Sequence, residues 1–309
     1  MPSRRQIREA AVQLLYSADF DGRTTPDLPG DAFWDLVAGP DRMRLMSSTA
    51  RALLHAAHGQ DTRVRSFAER WQSLRPRVIA HPSGDVSASA LDRIDELTPA
   101  WSAALAALER LPKPADDPAA LVPLQSALDA VFLHNRTLLA ACGRMPEPTD
   151  LPSPLRGWLE PVEAAVRKLR ECCARIDAVE HAENHPDDAG LNPIRNARNE
   201  LLEWRLRSEE TARRVLARLD PIDAEIAGTV EHYSPERIDA IDRAILRLAI
   251  DELMGGDTPT KVVINEAIEL AKRFGTSESG RFVNGVLDPI AHKTGKPREE
   301  TFTPVPADE

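Results

Sequence analysis

Residues 236–249 read ERIDAIDRAILRLA, and residues 260–275 read TKVVINEAIELAKRFG. In the first stretch Ile238, Ile241, Ile245 and Leu248 recur three or four apart, and Leu246, Ile250 and Leu253 fall close to a second face. Apolar side chains around most of the circumference predict a central, buried helix. Ser234 followed by Pro235 reads as its N-cap and first position, since serine satisfies an orphan N–H and proline has none to satisfy. Gly255-Gly256 ends it. In the second stretch Val263, Ala267, Leu270 and Phe274 form one stripe, entered through Thr258-Pro259 and closed by Gly275. A final helix over about 277–292 is expected to turn Phe282, Val286 and Ile290 inward, with Pro289 placed to bend it. The period is helical throughout, so the expected fold class is all-α.

Working towards the N-terminus, residues 4–18 carry Ile7, Ala11, Leu14 and Ala18 at helical spacing, with Arg4, Arg5 and Arg8 in the first turns. Cations there oppose the helix dipole, a small cost that raises the question of which anion they meet. The chain then breaks at 21–23 and 27–30. Helices are expected at about 43–58, 63–74, 88–111, 119–141 and 155–182, divided by loops rich in Pro, Gly and Asp, and again at 193–219 and 222–230. No internal repeat is present. The apolar content of residues 20–194 predicts a folded helical unit with its own core. Residues 294–309, rich in Pro, Glu and Thr, read as a disordered tail.

The formal charge of −10 sets a condition on partners. A uniformly acidic body repels nucleic acid, so any RNA site has to be a local basic patch. No apolar run approaches the roughly 20 residues that span a bilayer. The N-terminal segment is amphipathic and not the uninterrupted apolar stretch of a signal peptide, so a cytoplasmic protein is expected. Three cysteines, Cys142, Cys172 and Cys173, are an odd number without framework spacing, which suits a reducing compartment. The vicinal pair could bind a soft metal, but His181 and His185 stand at no recognised ligand spacing, and buried thiols on a helix are the plainer reading. No P-loop, Rossmann glycine fingerprint, HExxH pair or nucleophile elbow is found, so neither an enzyme nor a cofactor is expected.

The two stretches quoted above, followed by RFVNGVLD at 281–288, resemble the three ordered closing blocks of the NusB family. That resemblance spans about residues 195–293. Residues 4–16, RRQIREAAVQLLY, look like the family's first helix, arginine cluster included. Between about 20 and 194 the resemblance fails, where family members need only a short helix and loop. It therefore implies residues 1–19 and 195–293 as one NusB-like domain of two packed helical subdomains, with 20–194 as a large helical insertion. It also implies binding of boxA-like single-stranded RNA together with a NusE-type small-subunit ribosomal protein. Such complexes act with the transcription elongation complex on ribosomal RNA operons. Carried over residue by residue, Arg4, Arg5, Arg8 and Tyr16 match the basic first helix and its tyrosine. Glu278, Arg281 and Phe282 match the RNA side of the last helix, and Glu236 and Asp242 match acidic positions of the partner-binding side. One departure is Gln6, which thins the basic cluster.

General chemistry makes these roles reasonable: arginine grips phosphate through a bidentate fork, and Tyr or Phe stacks an unpaired base. Arg5 and Tyr16 are eleven residues apart, close to three turns, and share a helix face. Plainer readings stand beside them. Arg4 and Arg5 also suit a solvated N-terminus, Phe282 a core position, and Asp242 a pair with a neighbouring arginine. Two other functions are open as well. One is a protein-interaction scaffold without RNA binding. The other is a relative of the NusB-like domain of ribosomal RNA methyltransferases, which would need a glycine-rich βαβ unit that the sequence does not show.

Overall fold

The helical spacing becomes twelve α-helices in the computed structural model, which describes residues 2–20, 28, 30–112, 118–146, 151–230 and 237–294. Among these residues there is no strand, as an all-α reading requires. The chain divides into two compact units. The first comprises Met1–Val37 with Glu200–Glu309, and the second Ala38–Asn199. The sequence resemblance puts the inserted segment at 20–194, so the two boundaries differ.

In the first unit α1 (Arg4–Phe20), α9 (Leu219–Thr229), α11 (Thr260–Phe274) and α12 (Ser279–Thr294) all pack on α10 (Ala240–Gly255). That centrality follows from the sequence of α10, where Ile245, Leu246 and Ile250 are all fully buried although they face different sides. Burying each such side chain contributes roughly 1.5–3 kcal/mol. The helix begins later than Ser234-Pro235 suggests: Asp239 is its N-cap, with a carboxylate oxygen accepting from the Ile241 N–H at 3.0 Å. Ser234, Pro235 and Glu236 lie outside the described residues. At its other end Gly256 takes φ 73°, a left-handed conformation that a side chain would strain.

Two details of this unit differ from the sequence expectation. In α12 the buried stripe is Val283, Val286, Leu287 and Ile290, while Phe282 is only half-buried. Successive helical residues point about 100° apart, so Val283 and Phe282 cannot both face the core squarely. Pro289 sits within α12, which continues to Thr294, the first residue of the tail expected at 294–309; residues 295–309 lie outside the described residues. The second detail is a seven-residue helix, α2 (Asp31–Val37), too short to show a period. Its Trp34 is buried edge-on against Trp204 of α8 (Asn192–Leu216), with ring centroids 5.2 Å apart, and donates its indole N–H to Glu209 at 3.0 Å.

The second unit holds α3 (Gly39–Ala56), α4 (Gln60–Ile79), α5 (Asp85–Arg110), α6 (Leu121–Cys142) and α7 (Leu155–Glu180). Helices α4 to α7 pack in a closed ring, and α3 lies against α6 and α7. Phe67, Trp71 and Trp101 are fully inside; replacing such an aromatic with Ala costs about 3–5 kcal/mol. Helix α4 runs past Pro76, beyond the break expected at Leu74, with Val78 fully buried beyond the proline. That burial offsets the lost hydrogen bond. All three cysteines are buried. Desolvation raises their pKa, that of Cys142 to about 11, which leaves them as unreactive thiols. Among the described residues the one group spaced to converge on a cation is Asp177, Glu180 and His181, which includes no cysteine. Glu180 there is already held by Arg136 at 2.5 Å.

Candidate nucleic-acid interface

The start of α1 is set by a reciprocal cap. Ser3 Oγ accepts from the Gln6 N–H at 3.1 Å, while Gln6 Oε1 accepts from the Ser3 N–H at 2.9 Å. Gln6, which looked like a gap in the arginine cluster, thus satisfies orphan donors of the helix end. The Gln6 carbonyl also accepts the Trp204 indole N–H at 3.0 Å. The first turn is therefore pinned before any ligand arrives.

The three arginines of that turn have different surroundings. Arg8 is buried, and its Nε donates to both carboxylate oxygens of Glu252 at 2.9 and 3.1 Å. Its Nη1 also lies 3.8 Å from Glu266, so one side chain joins α1 to α10 and α11. Arg4 is exposed and borders a recess of about 160 Å³ shared with Glu252 and Asp257. Arg5 is half-exposed and pairs with Glu9 at 3.3 Å. Glu9 in turn binds Arg273 of α11 at 2.5 Å, which brings Arg5 and Arg273 to one carboxylate.

Two cations that the sequence reading did not select therefore join the site, Lys272 and Arg273. Their signal was present: a basic pair in the last turn of a helix, where the dipole favours it, just ahead of Arg281. Lys272 binds Glu269 at 2.8 Å. Glu269 is held below the usual carboxylate range by that hydrogen bond and the charge behind it, with Arg5 adding attraction. Lys272 also lies against Gly280, where an added Cβ would come within 3.4 Å of its Cγ. Arg5, Lys272, Arg273 and the start of α12 thus share one edge of the unit.

At that start Glu278 and Arg281 are exposed and Phe282 is half-buried beside them. Ser279 Oγ accepts from the Thr276 N–H at 2.9 Å and donates to Asp242 of α10 at 3.0 Å. Asp242 is only 7% exposed. Its pKa is raised, chiefly by burial and further by Asp239, against the opposing bond from Ser279. No arginine among the described residues is paired with it, and its surroundings are those of an interior anchor. Tyr16 is exposed on α1, about 16 Å along the helix axis from Arg5. At that far end Asp19 binds Arg243 and Arg247, and Arg247 binds Asp223 at 2.7 Å. Burial pushes Asp19 upward, but the two arginines outweigh it and hold it below the usual range.

No helix among the described residues is long and apolar enough to cross a membrane. What the first unit defines is an all-helical domain around one buried helix, with exposed cations gathered at the edge where α1, α11 and α12 meet. The model of the NusB family matches residues 162–292. The transcription antitermination protein NusB of Thermotoga sp. (strain RQ2) is 46% identical over 99 residues, 30% of this chain and 69% of that protein. Its counterpart in Anaeromyxobacter sp. (strain Fw109-5) is 46% identical over 96 residues, 31% of this chain and 66% of the relative. That of Sulfurimonas denitrificans is 47% identical over 77 residues, 25% of this chain. The chain belongs to the NusB family. It spans 66% and 58% of the length of the last two relatives. No solved structure matches it.

Proposed function

We propose that this protein is a cytoplasmic transcription antitermination factor without catalysis of its own. In this reading it binds boxA-like single-stranded RNA together with a NusE-type small-subunit ribosomal protein, as part of the transcription elongation complex on ribosomal RNA operons. The observation that carries it is the gathering of Arg5, Lys272, Arg273 and Arg281 beside a half-buried Phe282, on a chain of net charge −10. Cations grouped against an overall negative charge are what phosphate binding requires, and an aromatic at their border offers a surface for an unpaired base. Arg4 widens the patch, Tyr16 extends it along α1, and Glu278 accepts from donor groups of a base.

Two further residues act by position. Arg8 locks α1 onto α10 and α11, so that Arg5 is presented at a fixed place. Asp242 holds Ser279 and with it the first turn of α12, serving the partner side indirectly, while Glu236 is the acidic residue offered to the partner. The second unit, 38–199, falls within the family match only from residue 162 onward, and its remainder is read as an added helical segment.

Fluorescence anisotropy with boxA RNA tests the reading. Arg5→Gln with Arg281→Gln should weaken binding and lower the salt slope by about 0.7 per lost phosphate contact. Unchanged affinity and slope in a folded double variant would remove the site from this edge.

A further inference from the structure

We propose that the second unit carries its own RNA-backbone contact along the seam between α4 and α7. Arg63, Arg70 and Arg77 stand seven residues apart on α4, so they form a row on one face with steps of about 10.5 Å. Each is held in place without a carboxylate. Arg63 donates to the His58 carbonyl at 2.6 Å, Arg70 reaches across to the Pro161 carbonyl of α7 at 3.1 Å, and the Arg77 guanidinium lies 3.9 Å above the Trp158 ring. From α7, Arg175 donates to the Ala56 carbonyl at 3.2 Å, and Lys168, exposed, lies two turns before it on the same face.

Among the described residues none of these five cations is paired with an acid. Arginines elsewhere do bind carboxylates: Arg75, on the opposite side of α4, binds Asp92, and Arg8, Arg214, Arg218 and Arg247 of the first unit are each held by an acid. Among the acidic residues of these helices Glu69 and Glu160 stand about 60–120° around their helix axes from this row and Glu171 about 40–60°, and none of the three is paired with a cation of the row among the described residues. A carbonyl takes one N–H of a guanidinium without cancelling its charge, so the forks are ordered and the remaining donors are free. Ordered arginines lose less side-chain freedom when phosphate arrives.

The shape of the row selects the ligand. It extends for about 21 Å, too long for one phosphate group and suited to an extended polyanion. At one end the Arg77–Trp158 stack, with His81 edge-on at 5.8 Å from the indole, adds a π surface of the kind unpaired bases use. Single-stranded RNA offers both a regularly spaced backbone charge and a base to stack at every step, so it is the partner assigned. The inference rests on the RNA-binding reading above but on different residues, none of which belongs to the α1–α11–α12 edge.

The test uses the full chain, a long oligouridylate and a polyglutamate peptide, with affinity measured over a range of salt. Replacing Arg70, Arg77 and Lys168 with Gln should lower the log–log slope for the RNA by about 2, at about 0.7 per contact, with thermal stability unchanged. Arg70→Lys with Arg77→Lys retains charge and should retain most of the slope, which guards against a loss caused by misfolding. If the triple variant loses polyglutamate binding and keeps its RNA slope, the seam serves an acidic protein and the inference is overturned. If wild type binds RNA and only the Arg5 and Arg281 variants change the slope, this inference fails while the first reading stands. If wild type binds no RNA, both fall.

Discussion

Arg8 and Glu252 form a two-pronged ion pair in which one guanidinium nitrogen reaches both carboxylate oxygens, with the arginine side chain only 7% exposed. It joins residues 244 positions apart in sequence and fixes α1 to the central helix. Removing one partner from such a pair leaves a buried charge uncompensated.

Arg8→Ala should therefore destabilise the first unit by about 3–5 kcal/mol, while Arg5→Ala should change stability by less than about 1 kcal/mol and weaken RNA binding instead. Urea unfolding and RNA anisotropy on the two variants separate the roles. Equal stability losses would mean that Arg8 is no more structural than Arg5.

Adjacent residues of α12 should divide in the same manner. Val283 is fully buried, and Val283→Ala should cost about 2 kcal/mol of stability with little effect on RNA affinity in the folded fraction. Phe282→Ala should lose about 1–3 kcal/mol of RNA binding with a smaller change in melting temperature. A large stability loss at Phe282 with affinity unchanged would return that ring to the core.

Asp242 and Asp19 should move stability with pH in opposite directions. The folded-state pKa of Asp242 is raised, so its ionised form burdens the native state once pH passes above the usual carboxylate range. Asp242→Asn should then stabilise the protein at neutral pH, with the advantage shrinking as pH falls towards the ordinary aspartate value. Asp19 has a lowered pKa, so its contribution is present above the ordinary value and disappears as pH falls through the folded one. Asp19→Asn should destabilise at neutral pH and matter less in acid. Denaturant midpoints for both variants across pH check the pair of signs; a destabilised Asp242→Asn at neutral pH contradicts the first.

Joining Val37 to Glu200 through a flexible linker, with 38–199 removed, should leave a helical protein that unfolds in one cooperative transition. The aromatic contact of Trp34 with Trp204 and its bond to Glu209 lie within what is kept. Circular dichroism during thermal melting decides it. A product without a cooperative transition would make the second unit part of the first unit's core.

Much of this protein is written locally. The helical period of α10, α11 and α12 and the glycine ends of the first two are visible in the residues themselves, because backbone hydrogen bonding and side-chain periodicity act over a few positions. So are the basic first turn of α1 and the pair Lys272-Arg273. What the period leaves open is the direction of residues at a stripe's border: Val283, not Phe282, takes the interior place in α12. It was equally silent on α2, seven residues whose place rests on Trp34 meeting Trp204, 170 positions away.

Charge was legible as composition, and its use was not. Three arginines of one cluster look alike in sequence, yet Arg8 is spent inside on Glu252 while Arg4 and Arg5 stay outside. Asp242 resembles any acid on an amphipathic helix until α12 brings Ser279 to it at 3.0 Å. On α4 the seven-residue spacing of Arg63, Arg70 and Arg77 is a property of the sequence, but that no carboxylate among the described residues pairs with them is a property of packing. Local sequence determines which groups share a helix face; whether a charge meets an opposite charge, a carbonyl or water depends on which distant helix arrives beside it. Ion pairing and hydrogen bonding need contact within about 4 Å, and only the tertiary structure decides distances on that scale.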